Sequence, residues 1–175
     1  MFRSFFIFLS KLPWAQRLIT RWKLAWRFAS RFIAGEDRVS ALEVVSALNR
    51  QGLNATLDFL GENVTQLQDA EASVMEILAL LREIHQVQVR ANVSIKLSQL
   101  GLTLDSAICL QNVTRLLDGA RQTGNFLRID MEDSGLTRPT IDLFAGLREQ
   151  GYDNVGLVLQ SYLLRTEADL QALQP

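Results

Sequence analysis

Polar and charged side chains recur where four short apolar segments of the sequence end. Asp58, Lys96, Asp130 and Gln160 each lie at or just after the end of one segment. A second polar or charged residue follows each segment a few positions later: Glu62, Gln99, Glu132 and Arg165. Aspartate offers acceptors, lysine a cationic donor, and an amide both a donor and an acceptor. In a (β/α)8 barrel, catalytic residues lie at this rim of strand ends. The pattern therefore predicts an active site, if the four segments are parallel strands.

The elements that would position these residues alternate regularly along the chain. We predict strands over residues 54–60, 93–97, 126–130 and 155–160, and helices over residues 38–50, 69–86, 105–121 and 139–150. Asp105 is expected to cap the third helix, and Thr166 a final one. The strands start at about 54, 93, 126 and 155, which are 39, 33 and 29 residues apart. This is the period of a strand-helix unit in a parallel α/β fold.

Several other classes of protein and site are excluded by what the sequence lacks. The single Cys cannot form an internal disulfide, and one Cys with one His cannot form a protein-only zinc site. No Gly-x-Gly-x-x-Gly follows the first predicted strand, and there is no phosphate-binding Gly-x-x-x-x-Gly-Lys. Four strands are half of a (β/α)8 barrel, which usually needs about 250 residues. We therefore expect the N-terminal half of a TIM-type barrel, preceded by a helical arm.

That arm, residues 1–35, differs in charge from the rest of the 175-residue chain. It holds 7 of the 18 basic residues and none of the 19 acidic ones, so residues 36–175 carry 11 − 19 = −8. All three Trp lie in it, and Trp14, Leu18, Trp22 and Trp26 recur at helical spacing. The arm could lie in a membrane interface, or it could pack on the barrel. It also resembles an organellar transit peptide, since it is rich in Arg and has no acidic residue. Charged residues interrupt it too often for it to form a membrane-spanning helix.

The strand-end motifs resemble those of bacterial monofunctional proline dehydrogenases. The similar segments are residues 55–62 (ATLDFLGE), 94–101 (SIKLSQLG), 128–134 (RIDMEDS) and 156–163 (GLVLQSYL), with 31–36 (RFIAGE) before them. The resemblance covers roughly residues 31–172, in the family's order and spacing. It implies an FAD-dependent (β/α)8 barrel that oxidises L-proline to 1-pyrroline-5-carboxylate and passes electrons to a membrane quinone.

By this resemblance, Asp130 is the active-site aspartate and Lys96 contacts the substrate. Met131 and Gln160 match positions that contact the flavin. The carboxylates Asp58, Glu62, Glu132 and Asp133 could hold rim loops together; they could also suggest a metal, but the family uses none. We expect no metal and no nucleic-acid partner. The expected location is the cytoplasm, with peripheral contact to the inner face of the bacterial membrane through residues 1–35.

The family's later motifs do not occur in the chain. There is no Lys-Gly-Ala-Tyr run, no later Thr-His pair and no Arg-Arg pair to hold the proline carboxylate. We therefore expect an N-terminal part of such an enzyme, inactive alone. Two alternatives remain from the residues themselves: another barrel enzyme with the same rim pattern, and a non-catalytic membrane-surface module built on the arm.

Overall fold

The structure is a computed structural model that describes residues 34–35, 37–61 and 64–173. The expectations for the arm therefore lie outside the described residues, apart from Ala34 and Gly35, and so does Glu62. Contacts within the chain divide it into two compact units, Met1–Val44 and Val45–Pro175. All four described strands lie in the second unit.

Strands and helices alternate along the described residues, as predicted. The helices are α1 (Arg38–Arg50), α2 (Leu67–Val87), α3 (Ser106–Gln122), α4 (Thr137–Glu149) and α5 (Thr166–Ala172). The strands are β1 (Ala55–Asp58), β2 (Ala91–Ile95), β3 (Leu127–Ile129) and β4 (Val155–Leu157). A single 3-10 turn, Ser98–Leu100, follows β2. In this part of the chain, no helix is long and apolar enough to cross a membrane.

The four strands form one parallel sheet in sequential order, β1-β2-β3-β4. Consecutive units of a (β/α)8 barrel have this arrangement, so the predicted α/β class of parallel strand-helix units is confirmed. The register aligns Leu57, Val93, Leu127 and Val155 in one row across the sheet. All four are buried. The next row holds Asp58, Ser94, Arg128 and Gly156, which face the opposite side because side chains alternate along a strand.

Helices α2 and α3 supply much of the core. α2 buries Val74, Ile77, Leu81 and Ile84 along one face, and α3 buries Val113, Leu116 and Leu117. Between the two helices, a Cβ added at Gly119 would lie 2.6 Å from Leu78 Cδ2, so glycine permits their close approach.

The helix starts show where local sequence signals succeed and where one is wrong. Asp105 caps α3 as predicted, because its Oδ1 accepts hydrogen bonds from Ala107 N at 2.8 Å and Ile108 N at 3.1 Å. Thr166 is not the N-cap of α5: it is the first helical residue, and Arg165 precedes it. The Thr166 hydroxyl instead donates to Gln160 O at 2.6 Å, which ties the helix start to the rim.

Candidate functional site at the strand ends

Three of the candidate residues meet at the carboxyl ends of adjacent strands. Asp58 is the last residue of β1, Lys96 follows β2 directly, and Asp130 follows β3 directly. Asp130 N donates to Ile95 O at 2.9 Å, which continues the β2-β3 ladder up to the site. Asp58 pairs with Ser94, two residues before Lys96, so both side chains start from the same face of the sheet. The position expected for Lys96, inside a strand, is wrong by one residue.

The Lys96 ammonium lies between two carboxylates. Its Nζ donates to Asp58 Oδ2, and Asp130 Oδ2 lies 4.0 Å from the same nitrogen. The side chains of Lys96, Asp58 and Asp130 are 29%, 30% and 27% exposed, so each is mostly covered but still reachable from solvent. Two negative charges and one positive charge leave this trio with a net charge of −1. Such a site can offer a cationic donor and an anionic acceptor to one small ligand.

The two residues expected to contact a cofactor also meet, between the ends of β3 and β4. Gln160 Nε2 donates to the backbone O of Met131 at 3.5 Å. Gln160 Oε1 accepts from the hydroxyl of Tyr162 at 3.2 Å. Met131 is 8% exposed. The amide of Gln160 is therefore oriented at both ends by its neighbours at the rim.

Side-chain hydrogen bonds link the loops at this rim in the order of the strands, and we call them the rim links. Gln99 Nε2, after β2, donates to Phe59 O, after β1, at 3.2 Å. Glu132, after β3, accepts from Ser98 N at 2.9 Å and from the Ser98 hydroxyl. The hydrogen bond from Gln160 to Met131 O joins the loop after β4 to the loop after β3. A linking role was predicted for Glu132, but the contributions of Ser98 and Tyr162 were not predicted, since hydroxyl residues in loops carry no distinctive sequence signal.

Cys109 lies below this rim and is not a candidate nucleophile. The side chain is buried on α3, and its Sγ lies 3.6 Å from Leu97 O. Burial, together with the nearby charge of Glu132, raises the pKa of the thiol to about 12. A thiol of such high pKa stays protonated near neutral pH and is a poor nucleophile.

The acidic residues of the rim do not form a metal site in the described part of the chain. No group of three or more His, Cys, Asp or Glu side chains is arranged there to hold a metal ion. Within the rim, Asp58 and Asp130 lie on either side of a lysine, and Glu132 is engaged by Ser98.

Similarity to known proteins points to one family. The family model described as proline dehydrogenase matches residues 41–175. Proline dehydrogenase 2 of Bacillus subtilis subsp. natto is 35% identical over 173 residues, which are 98% of this chain and 56% of that protein. Proline dehydrogenase of Deinococcus radiodurans is 34% identical over 177 residues, 99% of this chain and 56% of that protein. The chain thus spans little more than half the length of these relatives.

Solved structures agree in fold. Proline utilization A (PutA) from Bdellovibrio bacteriovorus superposes with a TM-score of 0.73 at 21% identity, over 81% of this chain and 18% of that one. PutA from Corynebacterium freiburgense gives a TM-score of 0.72 at 23% identity, over 84% of this chain and 16% of that one. The family model covers most of the chain, including the four described strands and the rim residues Asp58, Lys96, Asp130 and Gln160. The chain belongs to the proline dehydrogenase family.

Proposed function

We propose that this protein acts in the oxidation of L-proline to 1-pyrroline-5-carboxylate, with Lys96 and Asp130 as its substrate-binding residues. The observation that carries the proposal is the placement of a lysine and an aspartate, with Nζ and Oδ2 4.0 Å apart, at the strand ends of a chain of this family. Because the chain spans 56% of its relatives' length, the activity and the substrate of the whole enzyme are part of the proposal.

The two side chains complement the two charges of an amino acid. Proline carries a carboxylate and a ring ammonium two bonds apart, and the rim offers the opposite charges in neighbouring positions. Lys96 would donate charge-assisted hydrogen bonds to the carboxylate. Asp130 would accept a hydrogen bond from the ring nitrogen and so fix which face of the ring is turned to the oxidant. Their partial exposure leaves room for a ligand to approach.

FAD is the cofactor that we propose, held in part by Met131 and Gln160. The flavin edge presents both donors and acceptors, and the Gln160 amide has one of each. Both polar atoms of the amide are held by rim groups, Met131 O and the Tyr162 hydroxyl, so the amide is oriented at the rim. When bound, FAD would take up the hydride from the substrate. Met131 and Gln160 would supply part of the contacts that hold this group.

We further propose that the electrons pass to a membrane quinone and that residues 1–35 bring the protein to the bilayer. The support is the composition of this arm, with seven basic residues, no acidic residue and all three Trp of the chain. Basic residues favour anionic lipid, and Trp favours the interface. The protein would then be cytoplasmic and peripheral to the inner face of the membrane. Vesicles with and without anionic lipid test this step: binding that survives deletion of residues 1–30 would contradict it.

The decisive experiment measures stereospecific ligand binding. The purified chain, loaded with FAD and monitored by the flavin spectrum, is titrated with L-proline and then with D-proline. We expect L-proline to bind more tightly, and Lys96→Met to remove the difference. Proline-dependent dye reduction, measured on the same samples, reports whether bound substrate is oxidised. Equal, weak binding of both enantiomers to the wild-type chain would count against the proposal.

A further inference from the structure

Asp58 lies beside Lys96 without occupying the place proposed for the substrate. It ends β1, and its backbone is fixed by pairing with Ser94 of β2. Its Oδ2 accepts a hydrogen bond from Lys96 Nζ, whereas Asp130 Oδ2, at 4.0 Å, is beyond hydrogen-bond distance of that nitrogen. The two carboxylates around the ammonium therefore have different roles in the structure. Asp58 is hydrogen-bonded to it, whereas Asp130 lies close to it without a hydrogen bond.

We propose that Asp58 is a positioning residue for Lys96. This inference rests on the proposed function, in which the Lys96 ammonium binds the substrate carboxylate. Asp58 fixes the ammonium at the rim. Asp130 is then left free to accept a hydrogen bond from the ring nitrogen of the substrate.

The need for such a residue follows from the chemistry of lysine. Lys96 lies one residue past the end of β2, and its ammonium is a point charge on a flexible four-carbon stem. Ordering that stem costs side-chain entropy, so an unpaired ammonium would sample many positions. A carboxylate on the paired neighbouring strand restricts it before any ligand arrives. Preorganisation of this kind lowers the cost of binding.

Asp58 also determines which carboxylate the lysine uses. Among the described residues, Asp130 is the other acidic group that lies within 4.0 Å of the ammonium. Without Asp58, the ammonium would be attracted towards Asp130 and would compete with a ligand for it. Loss of Asp58 is therefore expected to impair both substrate contacts, although Asp58 itself touches neither end of the ligand.

The sequence makes a direct test possible, because the chain contains just three lysines, Lys11, Lys23 and Lys96. In protein labelled with ¹³C at lysine Cε, the Lys96 signal is assigned by its loss in Lys96→Arg. We expect two resolved ε-proton shifts in the wild type, since the ammonium is held by Asp58. In Asp58→Asn the shifts should move and their splitting should narrow, because the ammonium loses this partner and is drawn towards Asp130. Asp58→Glu should restore part of the splitting. Asp142→Asn removes another aspartate that pairs with a cation, Arg138 on α4, and should leave the signal unchanged.

A second measurement on the wild type alone covers the case in which Asp58→Asn does not fold. High salt weakens partly exposed ion pairs, so the splitting should shrink reversibly as salt is added. In folded Asp58→Asn, judged by circular dichroism, L-proline binding followed by the Lys96 signal should weaken about threefold or more, the scale of a partly exposed ion pair.

The possible outcomes separate this inference from the proposed function. An unchanged Lys96 signal in folded Asp58→Asn, or a splitting that does not respond to salt, overturns the positioning role. If the Lys96 signal responds to Asp58→Asn but wild-type protein shows no response to L-proline, the positioning role stands and the proposed substrate contact fails.

Discussion

The carboxylate of Glu132 accepts two hydrogen bonds from Ser98, one from its backbone N–H at 2.9 Å and one from its hydroxyl. The two residues lie 34 positions apart in the sequence, one after β3 and one at the start of the 3-10 turn that follows β2. These two bonds place the Glu132 carboxylate at the start of that turn, where it accepts from the backbone N–H of Ser98. They fix the loop that carries Lys96 relative to the loop that carries Asp130.

Glu132→Ala should lower the free energy of unfolding by about 1.5–3 kcal/mol, the usual contribution of hydrogen bonds to a charged group. Urea denaturation measures this quantity. Glu149→Gln, at the exposed end of α4, is the control and should change stability by less than about 0.5 kcal/mol. Equal effects of the two changes would show that the Glu132–Ser98 bond does not hold the rim.

Gly101 and Gly146 should respond to alanine in opposite directions. Gly101 follows the 3-10 turn with φ of +98°, which strains any residue with a Cβ, so Gly101→Ala should destabilise the protein by about 1–2 kcal/mol. Gly146 lies inside α4, and a Cβ added there would enter open space, so Gly146→Ala should stabilise the protein by about 1 kcal/mol. Thermal or urea unfolding of both variants gives the two signs. The same sign for both would contradict the assignment of backbone strain to Gly101.

Cys109 should resist thiol reagents until the protein unfolds. Burial first, and the charge of Glu132 second, raise the pKa of this thiol from 9.0 to about 12. Because the folded state favours the neutral thiol, its contribution to stability is present below pH 9 and is lost as the pH rises towards 12. Labelling with a disulfide-exchange reagent at neutral pH should proceed only in denaturant. As the pH is raised, Cys109→Ala should lose stability less steeply than the wild type. An equally steep loss in both proteins would show that the raised pKa of Cys109 does not contribute to the pH dependence of stability.

The ion pair between Arg115 and Glu71 should contribute stability at neutral pH but not in acid. Arg115 donates to both Glu71 oxygens, at 2.6 and 2.9 Å, and these hydrogen bonds lower the pKa of Glu71 below its ordinary 4.5. The stabilisation is therefore complete above pH 4.5 and lost as the pH falls through the lowered pKa. Both side chains are about half exposed, so a double-mutant cycle with Glu71→Gln and Arg115→Gln should give about 0.5 kcal/mol. The coupling should vanish in acid and decrease with salt; a coupling that persists at low pH would contradict this account.

Lys96→Met should weaken L-proline binding about tenfold or more, the scale for removing a charged hydrogen-bond donor. The change removes the ammonium but keeps an unbranched apolar chain, so the fold should be retained. Lys96→Arg serves as the comparison: it retains the charge and should keep part of the affinity. Calorimetry measures both. Wild-type affinity in Lys96→Met would remove this residue from the substrate site.

The order of the elements could be predicted from the sequence because apolar periodicity reports local structure. α1 was predicted over residues 38–50 and occupies Arg38–Arg50. Strand ends were less accurate: β2 was predicted over 93–97 but lies at Ala91–Ile95, which moves Lys96 from the strand to the loop after it. The apolar run continues through Leu97, a buried residue of that loop, so hydropathy alone cannot mark where the ladder stops.

The pairings within the site could not be predicted in the same way. Spacing places Asp58, Lys96 and Asp130 at one edge, but it does not determine which carboxylate the lysine contacts. That depends on the register, which sets Asp58 level with Ser94 rather than with Lys96. The contact between Gln160 and Tyr162 depends on the conformation of a loop. The apolar periodicities that indicate helices and strands carry no information about loop conformation.

The rim links also imply an order in which this edge of the molecule can open. Within the described residues, the loop after β1 is held through Phe59 from one side, and the loop after β4 through Gln160 from one side. The loops after β2 and β3 are each held from both sides. Backbone amides of the two outer loops should therefore exchange with solvent deuterium first. The loops that carry Lys96 and Asp130 should be the slowest of the four to exchange.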